Sequence, residues 1–183
     1  MEKSLRDNMT EQLKAIRWLV LDVDGVLTDG WVILGNNGEE MKHFNVRDGH
    51  ALKVIQRYDI QIMLLTGRTS QVVVHRAKEL GITEVHQRVL NKLEYFTEFM
   101  NQRGLTFAEI AYVGDDIVDI PLLRQVGFSA TVKDAAEEVL PLVDYVSPYE
   151  GGRGAVRDIC KLILKAQGKW EEVAQRYHFP ESF

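Results

Sequence analysis

The stretch Trp18-Leu19-Val20-Leu21-Asp22-Val23-Asp24-Gly25-Val26-Leu27-Thr28 constrains this chain more than any other. Four large apolar residues in succession leave no polar face. The segment therefore reads as a strand buried on both sides, the usual state of a central parallel strand. Asp22 and Asp24 follow directly, and side chains two positions apart on extended backbone point to one side. Two unpaired carboxylates so placed repel each other and lose hydration, which calls for a cation at the site. Gly25 permits a sharp turn directly after them. Open parallel sheets carry their chemistry at such strand tips.

Further strand-like runs occur at Gln61–Leu65, Glu84–His86, Ile110–Val113, 128–130 and Tyr145–Val146. Between them lie helical patterns at 49–57, Gln71–Leu80, 92–102, 120–125, 135–139 and Ala155–Ala166. The alternation predicts an α/β fold, a Rossmann-like doubly wound parallel sheet with helices on both faces. Gly81, Gly104 and Gly127 fall just past predicted helix ends, where a left-handed residue commonly terminates a helix. One segment breaks the rhythm: residues 31–34 and 41–44 flank Gly35-Asn36-Asn37-Gly38, which predicts a β-hairpin flap over about 30–45, inserted after the first strand. A lone two-stranded ribbon is marginal in water, so its apolar side chains are expected to pack on another subunit. At 183 residues a single domain over 1–183 is expected, with a flexible tail over about 169–183.

Three further segments carry compatible chemistry in order. Leu64-Leu65-Thr66-Gly67-Arg68 ends one apolar strand, Lys92 opens a later helix, and Tyr112-Val113-Gly114-Asp115-Asp116-Ile117-Val118-Asp119 follows another strand. The series DVDGVLT…LLTGR…NK…VGDDIVD resembles the four motifs of the haloacid dehalogenase-like phosphohydrolases and spans most of the chain. In that family, substrate-covering caps are inserted after the first or second motif. Neither interval here is long enough for one, so the resemblance is to the capless branch.

The residue types fit phosphate ester cleavage. Asp22 at a strand tip can attack phosphorus and form an aspartyl-phosphate, which splits hydrolysis into two easier steps. Asp24 can protonate the leaving alkoxide and later take a proton from water. Asp115 suits Mg²⁺, a hard ion that accepts one or two carboxylates, waters and a phosphate oxygen. Thr66 offers a hydroxyl and the Gly67 region offers N–H groups to phosphate oxygens. Lys92 brings positive charge to the transition state. Asp116 and Asp119 either hold metal-bound waters or cap the start of a helix. The resemblance implies metal ligation by an Asp22 carboxylate oxygen, the Asp24 backbone carbonyl and Asp115.

Phe44-Asn45-Val46-Arg47-Asp48-Gly49 and Gly151-Gly152-Arg153-Gly154-Ala155-Val156-Arg157 are similar to segments of capless enzymes that act on 3-deoxy-D-manno-octulosonate 8-phosphate. That similarity implies a Mg²⁺-dependent phosphomonoesterase releasing the eight-carbon sugar acid and inorganic phosphate, in lipopolysaccharide core biosynthesis, assembled as a homotetramer. It assigns substrate contacts to Asp24, Asn45, Val46, Arg47, Asp48, Gly49, Lys53, Arg68, Arg76 and Lys92. A departure from the family pattern occurs at Arg88, where a glycine is usual. Two alternatives stay open: a phosphatase for a nine-carbon sugar acid 9-phosphate, and a non-catalytic scaffold of the same fold.

Composition narrows the classes further. A net charge of −5 gives no electrostatic reason to expect nucleic acid or an anionic membrane as a partner. An anionic substrate must then be held by local cations. The single cysteine, Cys160, excludes an intramolecular disulfide. No apolar run approaches the roughly 20 residues of a membrane span, and residues 1–11 lack a signal-peptide core, so a cytoplasmic location is expected. GNNGEEMK lacks the glycine-lysine-hydroxyl ending of a nucleotide-binding P-loop.

Overall fold

The structure, a computed structural model, describes residues 2–180, with side chains from Asn8 onward. It contains helices α1 (Glu2–Ala15), α2 (Val46–Ile55), α3 (Gln71–Leu80), α4 (Lys92–Arg103), α5 (Ile120–Leu123), α6 (Ala155–Ala166) and α7 (Trp170–Tyr177). The strands are β1 (Trp18–Leu21), β2 (Ile33–Leu34), β3 (Glu40–Met41), β4 (Gln61–Leu65), β5 (Glu84–His86), β6 (Ile110–Val113), β7 (Phe128–Thr131) and β8 (Tyr145–Val146). Six of these form one parallel sheet in the order β5-β4-β1-β6-β7-β8. The order reverses around β1, which places the tips of β1, β4 and β6 at the topological switch point.

Strand periodicity explains the layers. Leu19 and Leu21, Ile62 and Leu64, and Ala111 and Val113 pack with residues of α1, α2, α3, α6 and α7 on one face. Val20, Met63 and Leu65, with Ile110 and Tyr112, pack with Phe96, Phe99 and Met100 of α4 and Leu122 and Leu123 of α5 on the other. Alternate residues of each strand thus feed two cores, which is why β1, β4 and β6 read as unbroken apolar runs. The expected doubly wound sheet is present.

Several local expectations are corrected. Residues 135–139 form turns, not a helix. The Ala136 N–H is drawn off by the Asp115 carbonyl at 2.8 Å, and Pro141 sits at the start of the following 3₁₀ turn. Gly81 and Gly104 do terminate helices at φ +74° and +65°. Gly127 instead allows a close approach, since a Cβ there would lie 2.5 Å from the Ala108 carbonyl oxygen. The hairpin forms, but pairs over only Ile33↔Met41 and Leu34↔Glu40. Within the expected tail, Trp170–Tyr177 is a helix that buries Val173 and Ala174, and Phe179 lies 5.6 Å from Trp170. The amphipathic spacing of Trp170, Val173 and Tyr177 was the signal for it. Residues 181–183 of that tail lie outside the described residues. No helix among the described residues is long and apolar enough to cross a membrane.

Candidate active site

Asp22 leaves β1 with its N–H on the Val113 carbonyl of β6 at 2.9 Å, so the sheet ladder carries directly into the site. Gly25 takes φ +94°, and a Cβ there would meet Asp115 Oδ2 at 2.0 Å. The turn after β1 and the loop after β6 therefore interpenetrate at a point only glycine can occupy. The result is a buried carboxylate cluster: oxygens of Asp22, Asp115 and Asp119 lie within 4.8 Å of one another.

Lys92, the first residue of α4, points into this cluster. Its Nζ lies 2.8 Å from Asp22 Oδ1 and 2.6 Å from Asp119 Oδ1. It also donates to the Tyr112 hydroxyl at 3.2 Å, and Tyr112 donates to Asp119 Oδ1. Asp119 Oδ2 accepts the N–H groups of Asp115 and Asp116 at 3.0 and 3.2 Å. Both oxygens of Asp119 are thus taken by protein donors, and its role within this chain is to brace Lys92 and the β6 loop. Asp116 is exposed and accepts the Ile117 N–H at 2.7 Å, a cap for the 3₁₀ turn. Asp119 and Tyr112 are parts of the lysine's setting that the sequence did not reveal. Asp119 read as either a holder of metal-bound waters or a helix cap, and Tyr112 only as a residue of the strand before the motif.

Charge is not balanced here. Burial, offset in part by Lys92 and reinforced by Asp119, pushes the Asp22 carboxyl up to about 6. Burial and the charges of Asp22, Asp119 and Asp116 push Asp115 up to about 8. For Lys92, burial alone would lower the pKa, but Asp22 and Asp119 outweigh it and raise the ammonium above its usual value. Asp115 Oδ1 is buried without a hydrogen-bond partner among the described residues. A buried carboxylate oxygen with no donor beside a second under-neutralised carboxylate is the donor set of a hard cation. Mg²⁺ fits it, with Asp22 and Asp115 as the side chains able to hold the ion.

Asp24 lies on the other side of the turn. Its Oδ1 pairs with the Lys42 ammonium, and its Oδ2 lies 3.6 Å from Arg68 Nε. Glu40 Oε1 joins the same two cations, 3.2 Å from Lys42 Nζ and 3.3 Å from Arg68. Glu40 and Lys42 come from the ribbon and were not singled out in the sequence. The available signal was parity: Lys42 and Phe44 turn inward while Met41 and His43 are exposed. Thr66 is buried at the tip of β4, and its Oγ1 accepts the Arg68 N–H at 3.2 Å. Val89 N–H bonds the Thr66 carbonyl at 3.1 Å, closing the neighbouring loop over it. In that loop Arg88 sits at φ +60°, so the arginine adopts the left-handed backbone that a glycine would take without strain.

The other expected substrate residues lie on and just before α2, with Arg76 reaching in from α3. Asn45 caps this helix, its Oδ1 accepting the Arg47 N–H at 2.8 Å, and its Nδ2 donates to the Gly152 carbonyl at 3.2 Å. Asp48 is buried, and its carboxylate accepts the N–H groups of Gly154 and Arg157 at the start of α6. Gly49 makes room for Arg76, whose guanidinium would lie 2.2 Å from a Cβ there. Arg76 donates to the Asn45 carbonyl and to Glu79. Val46, Arg47 and Lys53 are exposed. Among the described residues, no ion pair joins Arg47, Lys53 or Arg76 to Asp22 or Asp24. The structure thus gathers Asp22, Asp24, Thr66, Arg68, Lys92 and Asp115 at the strand tips. The α2 group forms a second patch.

The chain matches a family model of haloacid dehalogenase-like hydrolases over residues 79–158. It is 47% identical over 157 residues to the 3-deoxy-D-manno-octulosonate 8-phosphate phosphatase KdsC of Escherichia coli strain K12, covering 86% of this chain and 84% of that protein. The crystal structure of the corresponding phosphatase from Yersinia pestis superposes with a TM-score of 0.88 at 43% identity, covering 90% of this chain and 89% of that one. The Moraxella catarrhalis phosphatase, solved with magnesium, phosphate and KDO, gives a TM-score of 0.91 at 36% identity and covers 93% of this chain and 98% of that one. With parallel-strand carboxylates, the buried lysine and these relatives in agreement, the chain belongs to the haloacid dehalogenase-like hydrolases, in the group of 3-deoxy-D-manno-octulosonate 8-phosphate phosphatases.

Proposed function

We propose that this protein is a Mg²⁺-dependent phosphomonoesterase that hydrolyses 3-deoxy-D-manno-octulosonate 8-phosphate to the free sugar acid and inorganic phosphate, supplying lipopolysaccharide core synthesis in the cytoplasm. The single observation that carries it is the convergence of Asp22, Lys92 and Asp115 with an unpartnered carboxylate oxygen, in a chain 47% identical to a phosphatase of that name. Asp22 is the nucleophile: one carboxylate oxygen forms a bond to phosphorus as the bond to the sugar oxygen breaks. Asp24 gives a proton to that departing oxygen, then takes one from the water that opens the aspartyl-phosphate. Lys92 and the Thr66 hydroxyl hold the phosphoryl oxygens. Asp22, the Asp24 carbonyl and Asp115 would hold Mg²⁺, which supplies charge neutralisation to phosphate and carboxylates together.

The substrate residues divide into two groups, Asp24, Arg68 and Lys92 at the strand tips, and Asn45, Val46, Arg47, Asp48, Gly49, Lys53 and Arg76 around α2. We read the chain as a single domain, with the ribbon as a subunit contact in a homotetramer. Trp31 and Leu34 support this, since they are 72% and 66% exposed on a two-stranded element that cannot sustain such apolar surface alone. The experiment is a phosphate-release panel of eight- and nine-carbon sugar acid phosphates with and without Mg²⁺. The eight-carbon ester should give the highest kcat/KM, EDTA should abolish turnover, and Asp22→Asn should neither turn over nor become phosphorylated. A nine-carbon preference would reassign the substrate. No turnover of any ester would leave the scaffold reading.

A further inference from the structure

A cavity of about 230 Å³ opens between α2, α6 and α7, and none of Asp22, Asp24, Thr66, Lys92 or Asp115 lines it. Its floor is apolar, formed by Ala51 and Val54 of α2, Cys160 and Leu164 of α6, and Val173 of α7. Trp170, Tyr177 and Phe179 wall it, and each ring is fixed by a neighbour. The Tyr177 hydroxyl accepts from Arg57 at 2.8 Å, and its ring meets His50 edge-on with centroids 5.5 Å apart. Phe179 lies against Trp170, and the Lys161 ammonium sits 5.2 Å from the centre of the Trp170 ring. The walls are therefore in place before anything enters. His50, Arg157 and Lys161 line the same cavity and reach solvent. Among the described residues, none of the three forms an ion pair. Two carboxylates whose charge reaches these cations are engaged by other donors. Asp48 accepts the N–H groups of Gly154 and Arg157, and Asp158 accepts the hydroxyls of Tyr145 and Ser147. Burial, with Lys165 and Arg157 close by, holds the Lys161 ammonium below its usual pKa, as expected of cations crowded without a counter-ion.

We propose that this cavity is a binding site for a compact aromatic carboxylate, with its ring among Trp170, Tyr177 and Phe179 and its anion at Arg157 and Lys161. Size, shape and charge select that class. An apolar cavity of about 150 Å³ admits one benzene ring, and drug-sized sites begin at roughly 300 Å³. The volume here suits one ring with a short substituent, or two fused rings. Aromatic walls favour a flat partner in offset or edge-on contact. Arg157 presents a planar fork matched to a carboxylate, and Lys161 adds a point charge beside it. The chain as a whole carries a net charge of −5, so the selection of an anion falls to these local cations. The occupant bridges α2, α6 and α7, and its site does not depend on the phosphatase reading.

The test titrates three probes that share one ring system into the full chain by calorimetry: 2-naphthoate, the neutral 2-naphthylmethanol and the cationic 2-naphthylmethylammonium. 2-Naphthoate should bind at a single site with a Kd on the order of 100 μM, an ordinary efficiency for a ligand of this size. The alcohol should bind about 10-fold more weakly, the scale of one charge-assisted contact, and the ammonium no more tightly than the alcohol. Arg157→Gln/Lys161→Gln should bring 2-naphthoate down to the affinity of the alcohol and leave the alcohol unchanged. Val54→Phe fills the floor and should remove binding of both; if that variant does not fold, the charge variant decides. Equal affinity for the three probes would overturn the proposal and mark the contact as unselective apolar association. Absence of binding, or 2-naphthoate binding unmoved by the charge variant, would overturn it too. Inorganic phosphate with Mg²⁺ should leave the probe in place, and displacement would put 2-naphthoate at the strand tips and refute the assignment.

Discussion

Replacing Asp115 by asparagine should stabilise the protein when no divalent ion is present. Burial and three neighbouring carboxylates raise Asp115 from 3.8 to about 8. A carboxyl whose pKa is higher in the folded state binds more protons folded than unfolded between those two values, so its charge costs stability as pH rises through the window. Below about pH 4 both states are protonated and the cost vanishes; at pH 8 most of it is present. Four units at roughly 1.4 kcal/mol each set a ceiling near 6 kcal/mol, and water at the half-exposed side of the residue reduces this to about 2–4 kcal/mol. In EDTA at pH 8, Asp115→Asn should melt about 4–16 °C above the wild type, on a scale of roughly 2–4 °C per kcal/mol for a chain of this size. At pH 5 the gap should shrink by more than half. Saturating Mg²⁺ should reverse the order, because only the wild type can use the ion to neutralise the site. The assay is thermal unfolding by circular dichroism at the two pH values, with EDTA or Mg²⁺. An asparagine variant no more stable than wild type at pH 8 in EDTA would refute the argument, as would a gap that ignores pH.

Further outcomes follow from single contacts. Gly25→Ala places a methyl 2.0 Å from Asp115 Oδ2 at φ +94°, so Mg²⁺ titrated by calorimetry should bind about 100-fold more weakly. Asp119→Asn removes one of the two anions on Lys92, and urea unfolding should show a loss of about 3 kcal/mol, the scale of a broken buried pair. Trp31→Asp/Leu34→Asp should convert the proposed homotetramer to smaller species in light scattering while leaving the far-ultraviolet spectrum unchanged. A retained oligomer would remove the ribbon from the interface.

What the sequence made legible was whatever depends on neighbours along the chain. Asp22, Thr66 and Asp115 follow apolar runs that could only be buried strands, and Lys92 follows Asn91, whose side chain caps the helix it starts. What stayed hidden depends on which distant segments meet. Lys42 is ordinary as a strand lysine until the ribbon folds back on Asp24. The Asp48 carboxylate gave no sign in the sequence that it would accept the N–H groups of Gly154 and Arg157, more than 100 residues away. Residues 135–139 have helical composition, and lose the helix to a long-range bond between Ala136 and Asp115. The α7 helix spans only 8 residues, so its one periodic signal, Trp170, Val173 and Tyr177, is brief beside those of the longer helices.

The register of β1 has a temporal consequence. Its residues Trp18 to Leu21 pair with Gln61 to Leu64 on one edge and with Ile110 to Val113 on the other. Asp22, the proposed nucleophile, emerges early during synthesis, but Asp115, its proposed metal-binding counterpart, lies beyond the latter strand. Pairings this remote in sequence close slowly, because the intervening chain must surrender its freedom first. A ribosome-bound chain stopped short of Asp115 would therefore hold Asp22 without its partner carboxylate, and the proposed site would be completed in one step, when the middle of the sheet is zipped.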